Sequence, residues 1–148
     1  MHEPPSEGWK PFGSHTHRFE PPDVYFTRVN GNVTGDDMRT QVEAIRALSQ
    51  RAGRPMFWLV DVSKMGTVSA EARQLAAAAS KGEEQPILGG SFIFGASFTT
   101  RVVVGMLLRA VRLIKPAKQR PTVFVETEAQ ARAFLDEHRK RGMDKSPP

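Results

Sequence analysis

The sequence predicts an α/β domain whose sheet is mixed, mostly parallel, and opened by an antiparallel hairpin. Two observations predict this. Short apolar runs of strand length alternate with segments whose apolar residues recur at helical spacing, and that alternation implies parallel strands joined by right-handed crossovers. At the start, by contrast, the strand-like segments His15 to Glu20 and Val24 to Val29 are separated only by Pro21-Pro22-Asp23, room for a turn and nothing more. The expected order is β-β-α-β-α-β-α-β-α.

Each element has its own warrant. Residues 1–14 are rich in Pro, Gly and Ser without periodicity and read as a flexible N-terminal arm, in which Trp9 and Phe12 can dock on the domain or on a partner. The strand from Val24 is expected to end at Asn30-Gly31-Asn32. Thr34 and Asp37 then have the spacing of a capping box in an Asp variant, Met38, Val42, Ile45 and Leu48 share one helix face, and Gly53 and Pro55 close the helix. Met56-Phe57-Trp58-Leu59-Val60 is apolar without alternation, as a central strand covered on both faces should be. A second helix is expected from Ser69 to Lys81, stopped by Gly82, and a fourth strand from Ser91 to Phe94. A long helix follows from about Thr99 to Lys115, ended by Pro116, and Thr122 to Val125 forms a fifth strand. The last helix starts near Thr127 and is expected to bury Ala131, Phe134, Leu135 and part of His138. One domain over residues 15–141 and a polar tail over 142–148 complete the organisation.

Composition narrows the class. Of 148 residues, 39% are hydrophobic and 25% charged, a globular balance. With no cysteine, a disulfide scaffold, a zinc-thiolate site and a thiol nucleophile are excluded. The first seven residues lack the basic and apolar regions of a secretory signal, and the stretch Val102 to Leu108 falls well short of the roughly 20 residues that cross a bilayer. A cytoplasmic location is therefore expected. The net charge of +5 and pI near 10.0 permit anionic partners without choosing one.

Two places carry candidate chemistry. In "VDVSKMGTVSAEAR", Asp61 ends an apolar run where open α/β sheets tend to place ligands, and Ser63, Thr67 and Ser69 follow in what reads as a polar loop before an Ala-rich helix. Asp61 can instead hold that loop by accepting backbone N–H bonds. Ser69 can cap the helix by accepting from Arg73 or, as cap geometry favours, from Glu71 or Ala72, or accept a phosphate, which free N–H groups and the helix dipole would stabilise. Glu71 in the first turn opposes a second negative charge, and the spacing favours the cap. The other place is the long helix, where Arg101, Arg109, Arg112 and Lys115 gather within an arc of about 120°. That basic face can meet an anionic membrane surface, a protein's acidic patch, a lipid headgroup or only water, and the broad apolar face beside it allows a homodimer contact.

Other features carry less. His15 and His17 project from one face of a strand and could share a metal, but no third ligand is apparent, so no metal site and no cofactor are expected. Gly89-Gly90 and Gly95-Ala96-Ser97 fit neither a Walker loop nor a dinucleotide fingerprint. There is no RNA-binding aromatic stripe and no helix-turn-helix pattern, so nucleic acid is not an expected partner. No nucleophile, base and orienting group come together, so no catalytic residue is assigned.

Three stretches, "FEPPDVYFTRVNGNVTGDDMRTQVEAI", "FWLVDVSKMGTVSAEARQL" and "TVFVETEAQARAFLDEHR", together with the order of elements, resemble the STAS domain, and most closely its stand-alone bacterial branch, SpoIIAA-like or STAS/SEC14-like. The resemblance spans about residues 17 to 140. It implies a non-enzymatic regulatory domain acting through a protein partner or, as in the lipid-handling relatives, a carrier or sensor of an apolar or lipid-like anionic molecule. In phospho-switched STAS domains an Asp-Ser-x-Gly motif at the second helix start supplies the acceptor serine. Counted without a gap from Asp61, those positions hold Ser69, Ala70 and Ala72, so the motif is broken, and a one-residue slip would bring Ser69 to the acceptor position.

Overall fold

The computed structural model describes residues 8–80, 88–95 and 122–144. A six-stranded sheet has the order β1-β2-β3-β4-β5-β6, with β1 (Lys10–Phe12), β2 (His15–Glu20), β3 (Val24–Val33), β4 (Met56–Val68), β5 (Leu88–Phe94) and β6 (Thr122–Val125). The first three strands pair antiparallel and the rest parallel, so the predicted mixed sheet with its antiparallel opening is observed. Among the described residues three helices accompany it: α1 (Gly35–Ala52), α2 (Ala70–Ser80) and α3 (Glu128–Asp144). The expected long helix from Thr99 to Lys115 lies outside the described residues, and so does its basic face of Arg101, Arg109, Arg112 and Lys115.

Pairing registers assign the side chains to faces. Tyr25, Thr27 and Val29 share a face with His15, His17, Trp58 and Val60, and α1 and α2 cover it with Met38, Ile45 and Ala72. Val24 and Phe26 share the other face with Leu59, Phe92 and Phe94, beneath Ala131 and Leu135 of α3. α1 is bounded as its punctuation demands. Thr34 Oγ1 accepts from the Asp37 N–H while the Asp37 carboxylate accepts from the Thr34 N–H, and Gly53 closes the helix in the left-handed conformation. α3 opens with a reciprocal box of its own, in which Thr127 Oγ1 accepts from the Gln130 N–H and Gln130 Oε1 accepts from the Thr127 N–H.

Three expectations need correction. The arm over residues 1–14 is not wholly outside the sheet, because Lys10–Phe12 pairs with His15–His17 as an edge strand. A strand of three residues with Pro11 at its centre is too short to show periodicity, and Trp9 anchors it by packing edge-on against fully buried Phe26. The strands from Val24 and Met56 do not stop at Val29 and Val60. They run on together to Val33 and Val68, with register shifts absorbing the Asn30-Gly31-Asn32 turn signal. Finally, Phe134 is 47% exposed, whereas Ala131 and Leu135 are buried and His138 meets the rings of Phe57 and Phe92.

Candidate functional site

At the carboxyl end of the parallel strands, β3 and β4 extend beyond β5, whose last pairing joins Phe94 to Asp61. The segment read as a loop from Asp61 to Ser69 is therefore the tail of β4, with Val62 buried and Ser63, Thr67 and Ser69 exposed. Its polarity hides the strand: past Asp61 the tail pairs with β3 and no longer with β5, and Val62 packs with Val29, Val33 and Met38 on the face that α1 and α2 cover. Asp61 Oδ1 accepts from the Ser63 N–H at 3.0 Å and the Ser63 hydroxyl at 2.7 Å, so this carboxylate oxygen shapes its own strand. Asn32 Oδ1 accepts from the Thr67 N–H at 2.9 Å, and Gly66 is required there because a Cβ would overlap that amide oxygen.

Ser69 caps α2. Its hydroxyl accepts from the Ala72 N–H at 3.0 Å, its carbonyl accepts from the Arg73 N–H, and its own N–H donates to the Val33 carbonyl, fastening the helix start to the end of β3. Glu71 lies in the first turn, packed so closely over Gly35 that any side chain there would overlap it, and 3.7 Å from Arg39. The structure thus gathers Asp61, Ser63, Thr67 and Ser69 along one strand tail and helix start, with Asp61 bonded to the Ser63 N–H and hydroxyl and Ser69 to the Ala72 N–H.

The two histidines do separate work. His15, 1% exposed, accepts from the Asn30 N–H at Nδ1 and bonds Asp37 Oδ2 through Nε2 at 3.1 Å, which places the ring hydrogen on Nε2. Burial acts upward on Asp37, but bonds from the Thr34 N–H and from His15 outweigh it and hold the carboxyl below its ordinary range. His17 Nδ1 shares a hydrogen bond with the Tyr25 hydroxyl at 2.5 Å; burial, and then Lys10, lower the pKa of His17 from the ordinary 6.5. Burial raises that of Tyr25, against the bond from Thr27, whose hydroxyl accepts from Trp58 Nε1 at 3.0 Å. Among the described residues no group of three His, Asp or Glu side chains is disposed to hold a metal.

Sequence reasoning missed two charged features. Asp23, fully buried, binds both Arg54, at 3.1 Å, and Arg139, whose Nη2 lies 2.5 Å from Oδ1. On the same face as Phe26, Arg18 and Arg132 share Glu20, whose carboxyl is held low by the Arg132 bonds first and then Arg18, against its burial. Spacing cannot reveal either, since the partners stand up to 116 residues apart. Among the described residues no helix is long and apolar enough to cross a membrane.

The sequence matches no protein-family model and no curated protein. Solved structures do match. The anti-sigma factor antagonist SpoIIAA in its unphosphorylated form aligns with a TM-score of 0.56 at 10% identity, covering 82% of this chain and 97% of that one. This is a SpoIIAA-like, STAS-type fold. An uncharacterised DUF3478-family protein from Shewanella loihica, described as having a SpoIIAA-like fold, aligns with the STAS-like domain at a TM-score of 0.53 and 16% identity, covering 91% of this chain and 99% of that one.

Proposed function

We propose that the STAS-like domain is a non-catalytic regulatory module that docks a protein partner on the tail of β4 and the first turn of α2. The observation that carries this reading is the engagement of Asp61 and Ser69. One places its carboxylate on Ser63 and the other its hydroxyl on the Ala72 N–H, which builds a fixed surface and not a nucleophile with its base. Ser63, Lys64, Gly66, Thr67, Ser69 and Glu71 are exposed along that segment, and Met65 and Val68 between them pack toward the core. The likeness to a protein titled an anti-sigma factor antagonist, one that acts on another protein, supports the same reading. A phosphate on Ser69 as a regulatory mark is part of this reading, since the residue is exposed at a helix start.

Site-specific photo-cross-linking tests the proposal. With p-benzoylphenylalanine replacing Thr67, a discrete protein adduct should form in the native cell, and the same probe replacing exposed Ala133 on α3 should give none. Equal adducts from both positions, or none from position 67, would overturn it. Native mass spectrometry of the isolated chain separates the other classes: a retained lipid mass favours a carrier, and a dimer mass a self-association role.

A further inference from the structure

Four guanidinium groups on the Phe26 face lie over aromatic rings, and they differ in what their edges reach: Arg139, 5.7 Å from the Phe57 ring centre, donates to Asp23 and Asp136. Arg18 stands 4.7 Å from the Trp9 ring centre, with Nε and Nη2 donating to Glu20. Arg132 stands 5.3 Å from the Phe26 ring centre, with Nη1 and Nη2 donating to the two oxygens of Glu20 and Nε to Glu128. Arg28 repeats the arrangement, 4.6 Å from Trp9 and 5.5 Å from Phe26, yet among the described residues no carboxylate accepts from its edge. Asp61 is its register partner on β4, but the Oδ1 oxygen of that carboxylate is turned to Ser63.

Ring contact settles the position of a guanidinium and leaves its in-plane N–H donors for a carboxylate, the geometry that Glu20 already satisfies twice nearby. Arg28 is exposed, and it occupies the rung of Asp61, two residues from Ser63. It therefore adjoins the Asp61–Ser63 part of the surface proposed for docking, on the sheet face opposite α2. We infer that Arg28, braced by Trp9 and Phe26, is the anchor for a carboxylate on an acidic segment of the protein partner. The inference rests on the docking reading and adds the partner's chemistry: an Asp- or Glu-bearing stretch laid along the ends of β3 and β4.

Isothermal titration of the whole chain with a hexaglutamate peptide tests it. The wild type should bind, more weakly as salt rises, and Arg28→Gln should lose about tenfold or more in affinity, while Arg51→Gln, at the end of α1, should change it less than about twofold. Arg28→Lys should stay several-fold weaker than wild type, because a point charge lacks the planar fork. Circular dichroism is to check that each variant compared is folded. Equal weakening by Arg28→Gln and Arg51→Gln would assign the binding to diffuse charge and overturn the inference, as would no binding by the wild type. If the Thr67 adduct forms and persists in the Arg28→Gln background, the acidic assignment falls and the docking reading stands. If the wild type gives no Thr67 adduct, the docking reading falls and the Arg28 anchor falls with it, whatever the titration shows.

Discussion

The two ends of the parallel strands are held by opposite means. At the amino end, Asp23 sits in the dry interior and is gripped by Arg54 and Arg139, which lie 31 and 116 residues along the chain. At the carboxyl end, Asp61 bonds Ser63, Ser69 bonds Ala72, and Asn32 bonds Thr67 on the adjacent strand. The amino end can open only by undocking α3 and stranding a buried charge. The carboxyl end is tied by single hydrogen bonds near water, each of which contributes about 1 kcal/mol and can be exchanged for a bond to another molecule. The amino end fixes the sheet through a buried charge, and the carboxyl end is shaped by short-range hydrogen bonds at the surface.

The largest expected effect breaks the amino end. Asp23→Ala removes the carboxylate shared by two partly exposed guanidinium groups and should cost about 2–3 kcal/mol in urea unfolding. A cost below about 1 kcal/mol would show that the two ends are held alike. Next comes Ser69→Ala, which removes the α2 cap and should cost about 1 kcal/mol, with faster amide exchange confined to the first turn of α2. Asp61→Ala should cost less, about 0.5 kcal/mol, since both its bonds are to exposed Ser63, and should leave the Asp23 end unchanged by hydrogen exchange.

A smaller effect lies between the ends, in pH. His17 has a lowered pKa in the folded chain, so the unfolded chain takes up the proton first. Its contribution is complete above the ordinary value of 6.5 and declines as pH falls from there toward the folded value, below which it stays level. His17→Gln should flatten that part of the stability profile, and a slope that persists in the variant would assign it elsewhere.

Local rules were legible in the sequence, and long-range pairings were not. The capping box at Thr34 and Asp37, the glycine stop at Gly53, the central strand at Met56 and the cap at Ser69 are each encoded within four or so residues, and all are observed. The tail of β4 was hidden because Asp61-Val62-Ser63-Lys64 has the composition of a loop, although Val60 and Val62 already alternate with polar residues as a one-sided strand would. Phe134 followed helical spacing but falls beside the covered stripe of Ala131 and Leu135. The Asp23 clamp joins residues up to 116 positions apart and the Arg28 platform depends on Trp9 folding back over β3, and no periodicity in a single sequence marks such contacts.

The position of Trp9 has a spectroscopic consequence. The chain has two tryptophans, and the sheet separates them: Trp9 lies between the cations Arg18 and Arg28 on one face, and Trp58 donates its indole N–H to Thr27 on the other. Their emission should therefore resolve into two components with different sensitivity to a soluble quencher, so that the molecule carries a native optical reporter for each of its faces.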